Sequence, residues 1–293
     1  MESRFYEQYY QWLERIGRLK DVGVFFIVGS PKSGTTWLQK CLDIHPQISS
    51  DGEGHFDLFA DAFRNLLAAF NQEQKGRIPR ARNPLSITFD ETDFKNLLKV
   101  VMDNQMVKRI SGKDIKWVGD KTPEHTKALD LLRELYPNSK ILHIIRDGRD
   151  CLVSWWSRHK QTVPEAEGLE NYIEWFTRNL WVPYVLKARN FGLNNPEDYI
   201  EIKYEELHCV PLNTLTTVFE FLGVDSTDET VMKCKEGADF KRLTGGRSMG
   251  EEDASSHYRK GIVGDWKNHL DKDLHEKFLE TGGDLLKDLG YSV

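Results

Sequence analysis

The residues best suited to chemistry follow an apolar run near the N-terminus. Residues 24–28, V-F-F-I-V, predict a buried strand, and a turn containing Gly29 and Pro31 comes directly after them. A helix is then predicted from Thr35 to Leu42. Free backbone N–H groups and the helix dipole meet at such a turn, so it can bind an anion. We therefore expect a phosphate at this turn. The polar side chains around it would be those of Lys32, Ser33, Thr35 and Thr36.

The turn departs from the common phosphate-binding pattern G-x-x-x-x-G-K-[ST]. Gly29 and Gly34 have the expected spacing, but Thr35 stands where the lysine belongs, and Lys32 lies inside the loop instead. No strand ending in aspartate is evident that would hold Mg²⁺. These departures disfavour a P-loop kinase that uses Mg·ATP, although that function remains an alternative. A nucleotide-binding module without catalytic activity is a second alternative.

A second anion site is predicted from two later segments. Arg146 directly follows the strand-like run K-I-L-H-I-I, and Ser154 comes about two helical turns later. An arginine at the end of a strand and a hydroxyl on the next helix can bind a phosphate together. Arg259 and Lys260 stand beside Gly261 in R-K-G-I-V-G-D-W-K-N, where side-chain cations and backbone N–H groups can approach the same anion.

Three motifs carry a resemblance to a known family. P-K-S-G-T-T-W, I-I-R-D-G-R-D-C-L-V-S and R-K-G-I-V-G-D-W-K-N resemble, in order and spacing, the elements with which sulfotransferases bind 3′-phosphoadenosine-5′-phosphosulfate (PAPS). The resemblance spans residues 24 to 268. It implies a P-loop NTPase-like sulfotransferase fold, PAPS as the sulfonate donor, adenosine 3′,5′-bisphosphate (PAP) as the product, and no metal.

The resemblance also implies a role for individual residues at the donor site. The 5′-phosphosulfate would be held by Lys32, Ser33, Gly34, Thr35 and Thr36. The 3′-phosphate would be held by Arg146, Ser154, Arg259, Lys260 and Gly261. The adenine would contact the aromatic rings of Trp37, Tyr204 and Phe240.

The catalytic base is less clearly indicated. Sulfonate transfer is an in-line displacement, which needs a group to take the acceptor proton and a cation on the leaving oxygen. Lys32 fits the cation. In D-K-T-P-E-H, which partly resembles the K-T-H base segment of cytosolic members, Lys121 is kept but proline replaces the histidine. H-P-Q-I-S-S-D-G-E-G-H-F resembles the glutamate segment of Golgi-type and bacterial members. We therefore favour Glu53 with His55, keep His125 as a reserve, and expect Lys121 to orient the acceptor or sulfonate.

The alternation of predicted strands and helices indicates an α/β fold with a parallel sheet covered on both faces. We expect one domain over residues 1–293, with a helix within residues 1–20, a polar surface excursion over 71–93 and a mobile Gly-rich lid over 241–264. The predicted strands cover residues 24–28, 47–49, 115–119, 140–145 and 199–203. The main predicted helices cover residues 5–19, 35–42, 57–70, 91–107, 123–136, 170–190, 211–223 and 227–237, and a final helix ends near 289.

Composition limits the environment and the partners. The 293 residues are 39% hydrophobic and 29% charged, with a net charge of −6, which is typical of a soluble globular protein and disfavours nucleic acid or a polyanionic acceptor. Four scattered cysteines show no metal-binding spacing, and no signal peptide or membrane span is evident, so we expect a cytoplasmic protein. The oligomeric state is open, because Asp271 and Lys272 replace the Thr-Val pair of the cytosolic family's dimer motif.

The acceptor is expected to be a neutral or cationic small molecule, such as a secondary metabolite, that carries a hydroxyl or amine. Three carboxylates near the base segment can recognise positive charge, and four aromatic residues can line an apolar acceptor pocket. The carboxylates are those of Asp51, Glu53 and Asp57. The aromatic residues are Phe56, Phe59, Trp155 and Trp156.

Overall fold

The computed structural model describes residues 4–77, 87–110, 114–160 and 168–293. Its centre is a sheet of five parallel strands in the order β2-β3-β1-β4-β5. The strands are β1 Gly23–Val28, β2 Ile48–Ser49, β3 Trp117–Lys121, β4 Lys140–Ile145 and β5 Tyr199–Lys203. The predicted α/β class with a central parallel sheet is thus confirmed, whereas the prediction of one domain over the whole chain stays a prediction.

Helices cover the sheet and connect its strands. The α-helices are α1 Arg4–Gly17, α2 Thr35–Asp43, α3 Phe56–Arg77, α4 Glu91–Val107, α5 Leu129–Leu135, α6 Gly148–His159, α7 Gly168–Phe176, α8 Val182–Asn194, α9 Tyr204–Cys209, α10 Pro211–Leu222, α11 Asp228–Gly237, α12 Phe240–Leu243 and α13 Lys272–Asp288. Short 3₁₀ segments cover Arg18–Asp21, Pro123–Ala128, Pro196–Asp198 and Asp265–Asn268. No helix in these ranges is both long and apolar enough to cross a membrane.

Strand β1 organises the core because both of its faces are buried. Successive side chains of a strand point to opposite faces of the sheet. Phe26 and Val28 therefore join a core with residues of α3, α4 and α5. Phe25 and Ile27 join another core with residues of α2, α10 and α11 on the opposite face. This double burial explains why the strand reads as a continuous apolar run.

The parallel register brings the functional segments to one edge of the sheet. Phe26 pairs with Asp120, Ile27 with Lys121, and Val28 with His143. The carboxyl ends of β1, β3 and β4 therefore lie side by side, and the loops that follow them share the edge where open α/β sheets bind ligands.

Strand β3 lies two residues later than the sequence indicates. It covers Trp117–Lys121 instead of residues 115–119, so Asp120 is its penultimate residue and Lys121 its last. The strand continues into polar residues because Asp120 and Lys121 pair with β1 through backbone groups, whatever their side chains. Gly119 allows this pairing, since a Cβ there would lie 2.2 Å from the ring of Phe25.

Three helical segments also differ from expectation. The segment from Pro123 begins as a 3₁₀ turn before α5, and the predicted helix over 170–190 is divided by a π-helical segment, Thr177–Trp181. In the predicted excursion over 71–93, α3 extends to Arg77 and α4 begins at Glu91, while residues 78–86 lie outside the described residues. Long apolar patterns predict that a helix exists, but they do not resolve one-residue changes of helical pitch.

Candidate active site

A cavity of about 260 Å³ opens at the carboxyl edge of the sheet. It is lined by every predicted donor-site and base residue except Ser33, Lys121 and His125. The motifs that lie far apart in the sequence therefore meet in one place. The predicted residues on the lining are Lys32, Gly34, Thr35, Thr36, Trp37, Glu53, His55, Arg146, Ser154, Tyr204, Phe240, Arg259, Lys260 and Gly261.

The turn between β1 and α2 has the geometry of an anion cradle. Gly34 has φ +101°, and a Cβ there would lie 2.4 Å from the ring of Tyr204, so this position requires glycine. Lys32 is also left-handed, with φ +70°. Helix α2 begins at Thr35, which leaves the first N–H groups of the helix free to bind an anion. The Ser33 hydroxyl is buried without a hydrogen-bond partner among the described residues, so its hydrogen-bonding capacity fits an anion at this turn.

Lys32 lies in a cationic environment. Burial, together with Arg158, Arg146 and Arg259, lowers the pKa of the Lys32 ammonium to about 8. Arg146 also donates to the Lys32 carbonyl at 3.3 Å. An anion in the cavity would offset this excess of positive charge.

Arg146 lines the cavity together with the other residues of the predicted second anion site. Its guanidinium lies 4.2 Å from the centre of the Tyr204 ring and donates to the Ile262 carbonyl at 3.0 Å. Asp150, in the same R-D-G-R-D motif, accepts from the backbone of Gly264 at 2.8 Å and of Trp266 at 2.9 Å. The carboxylate of Asp150 therefore ties the start of α6 to the G-D-W part of the third motif.

The third motif presents cations that are already paired with carboxylates. Arg259 pairs with Asp265 and, at 2.9 Å, with Glu252, while Lys260 lies 2.7 Å from Asp265. Burial opposes ionisation of Asp265, but the hydrogen bonds from Lys260 and Arg259 prevail and hold its pKa well below the usual range. Gly261 has φ +67°, and a Cβ there would lie 2.5 Å from the Phe240 ring, so the backbone passes directly over that ring.

Three aromatic residues form flat surfaces beside these anion sites. Trp37 donates from Nε1 to the Ala238 carbonyl at 3.0 Å, which fixes its ring. Trp37 meets Tyr204 edge to face, with ring centres 5.7 Å apart and planes at 67°. Phe240 and Tyr204 are buried beneath Gly261 and Gly34. Such rings suit a planar base.

The base segment places Glu53 at the cavity with two partners. Oε2 of Glu53 lies 3.1 Å from Nε2 of His55, and Oε1 contacts Nζ of Lys121. Lys121 also donates to the Thr36 hydroxyl at 3.2 Å and is 3% exposed at its side chain, against 34% for Glu53 and 45% for His55. Lys121 therefore connects the base segment to the start of α2. His55 has φ +45°, a left-handed conformation that is unfavourable for a residue with a side chain.

Several expected contributors lie away from the cavity. His125 is fully buried, and its Nε2 accepts from the backbone N–H of Phe56 at 3.2 Å. The ring of Phe56 stacks on that of His125, with an angle of 7° between the two planes, so Phe56 belongs to the core. Phe59 and Trp156 also lie off the lining, and Trp155 alone of the four aromatic candidates contributes to it.

The acidic residues do not converge as a cation site. Asp51 lies 3.4 Å from Lys40 and Asp57 lies 3.9 Å from His125, and neither carboxylate lines the cavity. Glu53 is thus the member of this group that faces the cavity. Among the described residues, no group of histidine, cysteine, aspartate and glutamate is arranged to hold a metal ion. Asp120 instead accepts from Thr122 at 2.9 Å and pairs with Arg109 at 3.4 Å.

Other cavity residues were missed in the sequence. Arg158 lies one helical turn after Ser154 on α6, and that spacing could have indicated it. His257 and Tyr258 come from the segment predicted to be a lid. In that segment, Arg247 donates to the carbonyls of Tyr258 at 2.8 Å and Arg259 at 3.0 Å. The local sequence pattern does not predict these contacts.

Comparison with known proteins gives a family and a fold. The sequence model of the sulfotransferase family matches residues 25–229. The chain is 29% identical to human sulfotransferase 1C2 over 158 residues, which cover 49% of this chain and 53% of that protein. The chain spans about half the length of the first curated relatives that it matches.

Solved structures share the architecture at low sequence identity. Mouse sulfotransferase SULT7A1, complexed with PAP, is 21% identical with a TM-score of 0.59, and the match covers 94% of each chain. Retinol dehydratase, in complex with androsterone and PAP, is 16% identical with a TM-score of 0.52, and the match covers 96% of this chain and 87% of that one. At these identities the likeness concerns the fold.

Proposed function

The chain belongs to the sulfotransferase family, and we propose that it transfers a sulfonate group from PAPS to a hydroxyl or amine of a small molecule. The observation that supports this proposal is that one cavity is lined by residues of both predicted anion sites and by three aromatic rings. The turn after β1 suits a 5′-phosphosulfate. Arg146, Ser154 and Arg259 suit a 3′-phosphate, which ATP lacks.

The reaction is an in-line displacement at sulfur. The acceptor oxygen or nitrogen forms a bond to sulfur while the bond from sulfur to the 5′-phosphate oxygen breaks, and PAP leaves with that electron pair. Glu53 takes the proton of the acceptor, and Lys32 stabilises the charge that develops on the leaving oxygen. His55 and Lys121 hold the two oxygens of Glu53 in place.

The acceptor side of the cavity combines Trp155 with charged residues of both signs. Glu53 and Glu124 face it together with Arg158 and His257. A small acceptor with an aromatic or alicyclic body and one reactive polar group fits this lining, and retinol dehydratase was solved with androsterone. The neutral or cationic charge of the acceptor, its place in secondary metabolism and the cytoplasmic location stay predictions.

The test is thermal unfolding with PAP, ATP or 5′-AMP, each with and without Mg²⁺. A ligand that binds only the folded protein raises the melting temperature by mass action. We expect PAP to raise it without metal and by more than 5′-AMP does. Stabilisation by Mg·ATP alone would overturn the proposal in favour of a kinase.

A second measurement separates an enzyme from a nucleotide-binding module. PAPS is incubated with the protein and a panel of phenols, alcohols and amines, and PAP release is followed. Acceptor-dependent release that Glu53→Gln abolishes supports transfer. PAP binding without release for any member of the panel indicates a binding module.

A further inference from the structure

The turn that carries Glu53 is held by two backbone hydrogen bonds to side chains of a neighbouring segment. The N–H of His55 donates to the Thr122 hydroxyl at 3.3 Å, and the N–H of Phe56 donates to Nε2 of His125 at 3.2 Å. These N–H groups belong to consecutive residues at the start of α3, where no intrahelical acceptor exists. Thr122 stands at the N-cap of its own 3₁₀ turn but makes no capping bond there, so its hydroxyl serves the other segment.

One buried carboxylate orients Thr122 and also lies beside His125, whose Nδ1 makes no hydrogen bond to any described residue. Thr122 donates to Oδ1 of Asp120 at 2.9 Å, and Nδ1 of His125 lies 3.4 Å from the same oxygen. Asp120 is fully buried and is held by Arg109. Because Nε2 of His125 accepts a hydrogen bond, the proton of the neutral ring lies on Nδ1, which faces Asp120.

The surroundings keep His125 in the neutral state that this arrangement needs. Burial lowers the pKa of His125, although Asp120, Asp57 and Glu53 favour its protonation and His55 opposes it. The Phe56 ring stacks on the imidazole at a centre distance of 5.7 Å. The imidazole therefore presents a fixed acceptor to a fixed donor.

We propose that Asp120, Thr122 and His125 are positioning residues that hold the Glu53 turn in its working conformation. The inference rests on the proposed function, in which Glu53 takes the acceptor proton. His55 and Lys32 are the two non-glycine residues with positive φ among those the structure describes, and His55 adopts this conformation within the turn that Thr122 and His125 fix. Without the two acceptors, the turn can relax to a right-handed conformation, which moves Glu53 away from the cavity.

The same segment also holds the donor loop. Thr126, one residue after His125, accepts from the backbone N–H of Gly29 at 3.2 Å, and Lys121 donates to Thr36 at 3.2 Å. The end of β3 and the 3₁₀ turn therefore fix the Glu53 turn relative to the phosphate loop. This shared support sets the relative position of base and donor.

The test is amide hydrogen exchange in two matched pairs of variants. Thr122→Val removes the hydroxyl and Thr122→Ser keeps it, while His125→Leu removes the acceptor and His125→Gln keeps one at a similar reach. We expect exchange at His55 to become about tenfold faster in Thr122→Val, and at Phe56 in His125→Leu, and to stay near wild type in the conservative variants. The Trp37 amide, which donates to Gly34, is the internal control.

Two further readouts distinguish positioning from general stability. The ¹⁵N shifts of His125 should show an unprotonated Nε2 and a protonated Nδ1, and the opposite tautomer overturns the proposal. In turnover with an acceptor from the panel, Thr122→Val should lower kcat about tenfold and leave the KM for PAPS unchanged, with recovery in Thr122→Ser.

The outcomes separate this inference from the proposed function. If PAP stabilises the protein but Thr122→Val leaves exchange at His55 unchanged, the positioning role fails and the proposed function stands. If PAP does not stabilise the protein but exchange responds as expected, the hydrogen bonds stand and the proposed function fails. Should His125→Leu not fold, the Thr122 pair alone decides.

Discussion

The two halves of the cavity are built in different ways. On the predicted donor side, the side chains of Arg146 and Arg259 are 9% and 6% exposed. Arg146 directly follows β4, and Arg259 lies in a loop whose backbone accepts a hydrogen bond from Arg247. On the base side, Glu53 and His55 are 34% and 45% exposed at their side chains and stand on a turn between β2 and α3. The proposed function accounts for this difference: groups for a constant donor can be buried in the scaffold, whereas groups for a variable acceptor can lie on an exposed turn that another segment supports.

Glu53→Gln should give the largest effect and break the base side alone. A positioned general base contributes roughly 10²- to 10⁴-fold, so kcat for PAP release should fall by that range while stabilisation by PAP is retained. Asp51→Asn is the matched control, because Asp51 lies two residues earlier and pairs with the half-buried Lys40 off the cavity. An equal fall in kcat in both variants would mean that the loss comes from a disturbed turn and not from the chemistry of the Glu53 carboxylate.

Lys32→Met acts where the two halves meet. Loss of one preorganised donor to a developing negative charge costs about 10²- to 10³-fold in kcat. We expect that loss together with weaker stabilisation by PAP, measured by turnover and thermal unfolding. Lys40→Met on α2 is the control, since its ammonium pairs with Asp51 at the surface. Unchanged kcat in Lys32→Met would remove Lys32 from the leaving-group role.

Arg259→Gln should break the donor side alone. The affinity for PAP should fall about 10- to 100-fold, because a hydrogen bond between two charged groups is lost. The affinity for 5′-AMP should change little, because 5′-AMP has no 3′-phosphate. The difference between the two nucleotides in melting temperature should therefore shrink. Arg242→Gln is the control, because Arg242 is exposed and lies off the cavity. A parallel loss for 5′-AMP would show that Arg259 does not contact the 3′-phosphate.

A smaller effect should come from the titration of Lys32, which makes the affinity for PAP depend on pH. The pKa of Lys32 in the free protein is about 8, and a bound anion favours the protonated amine. Affinity for PAP should therefore fall, by up to about tenfold per pH unit, as pH rises above 8. In the unfolded chain the pKa of Lys32 returns to the ordinary lysine value of 10.5, so the unfolded chain binds the extra proton between pH 8 and 10.5.

The pH dependence of the stability of the free protein therefore has the opposite sign to the pH dependence of PAP binding. Over this window the contribution of Lys32 to the free energy of unfolding increases with pH, while stabilisation by PAP decreases. Thermal unfolding from pH 7 to 10 with and without PAP measures both trends. In Lys32→Met the pH dependence of PAP binding should flatten, and persistence of the full slope would assign it to another group.

The fold and the donor side could be predicted because their signals are local. A buried strand, a glycine turn and a helix start stand together at residues 24–42, and strand–helix alternation recurs to Lys203. The requirement for glycine at Gly34 and Gly261 arises from rings distant in sequence, but the glycines themselves stand within recognisable motifs.

The base side could be predicted only in part because its contacts are long-range. Glu53 and His55 were identified from a short segment, but their supports, Thr122 and His125, lie 67 and 69 residues away from the amides they accept. Phe56 reads as a candidate pocket aromatic in the sequence, and only the stacking on His125 shows that it is core. The pairing of Asp120 with Phe26 of β1, which extends β3 toward the Glu53 turn, could not be predicted from the local sequence pattern either.

The left-handed conformations of Lys32 and His55 have an evolutionary consequence. Each holds a side chain where glycine would be relaxed, so the chain sacrifices about 1 kcal/mol of stability at each position. Random mutagenesis followed by selection for heat resistance alone should therefore enrich glycine or asparagine at both positions. Such a lineage should become more stable as it loses turnover, because both residues with these strained backbones line the cavity in which we propose that transfer takes place.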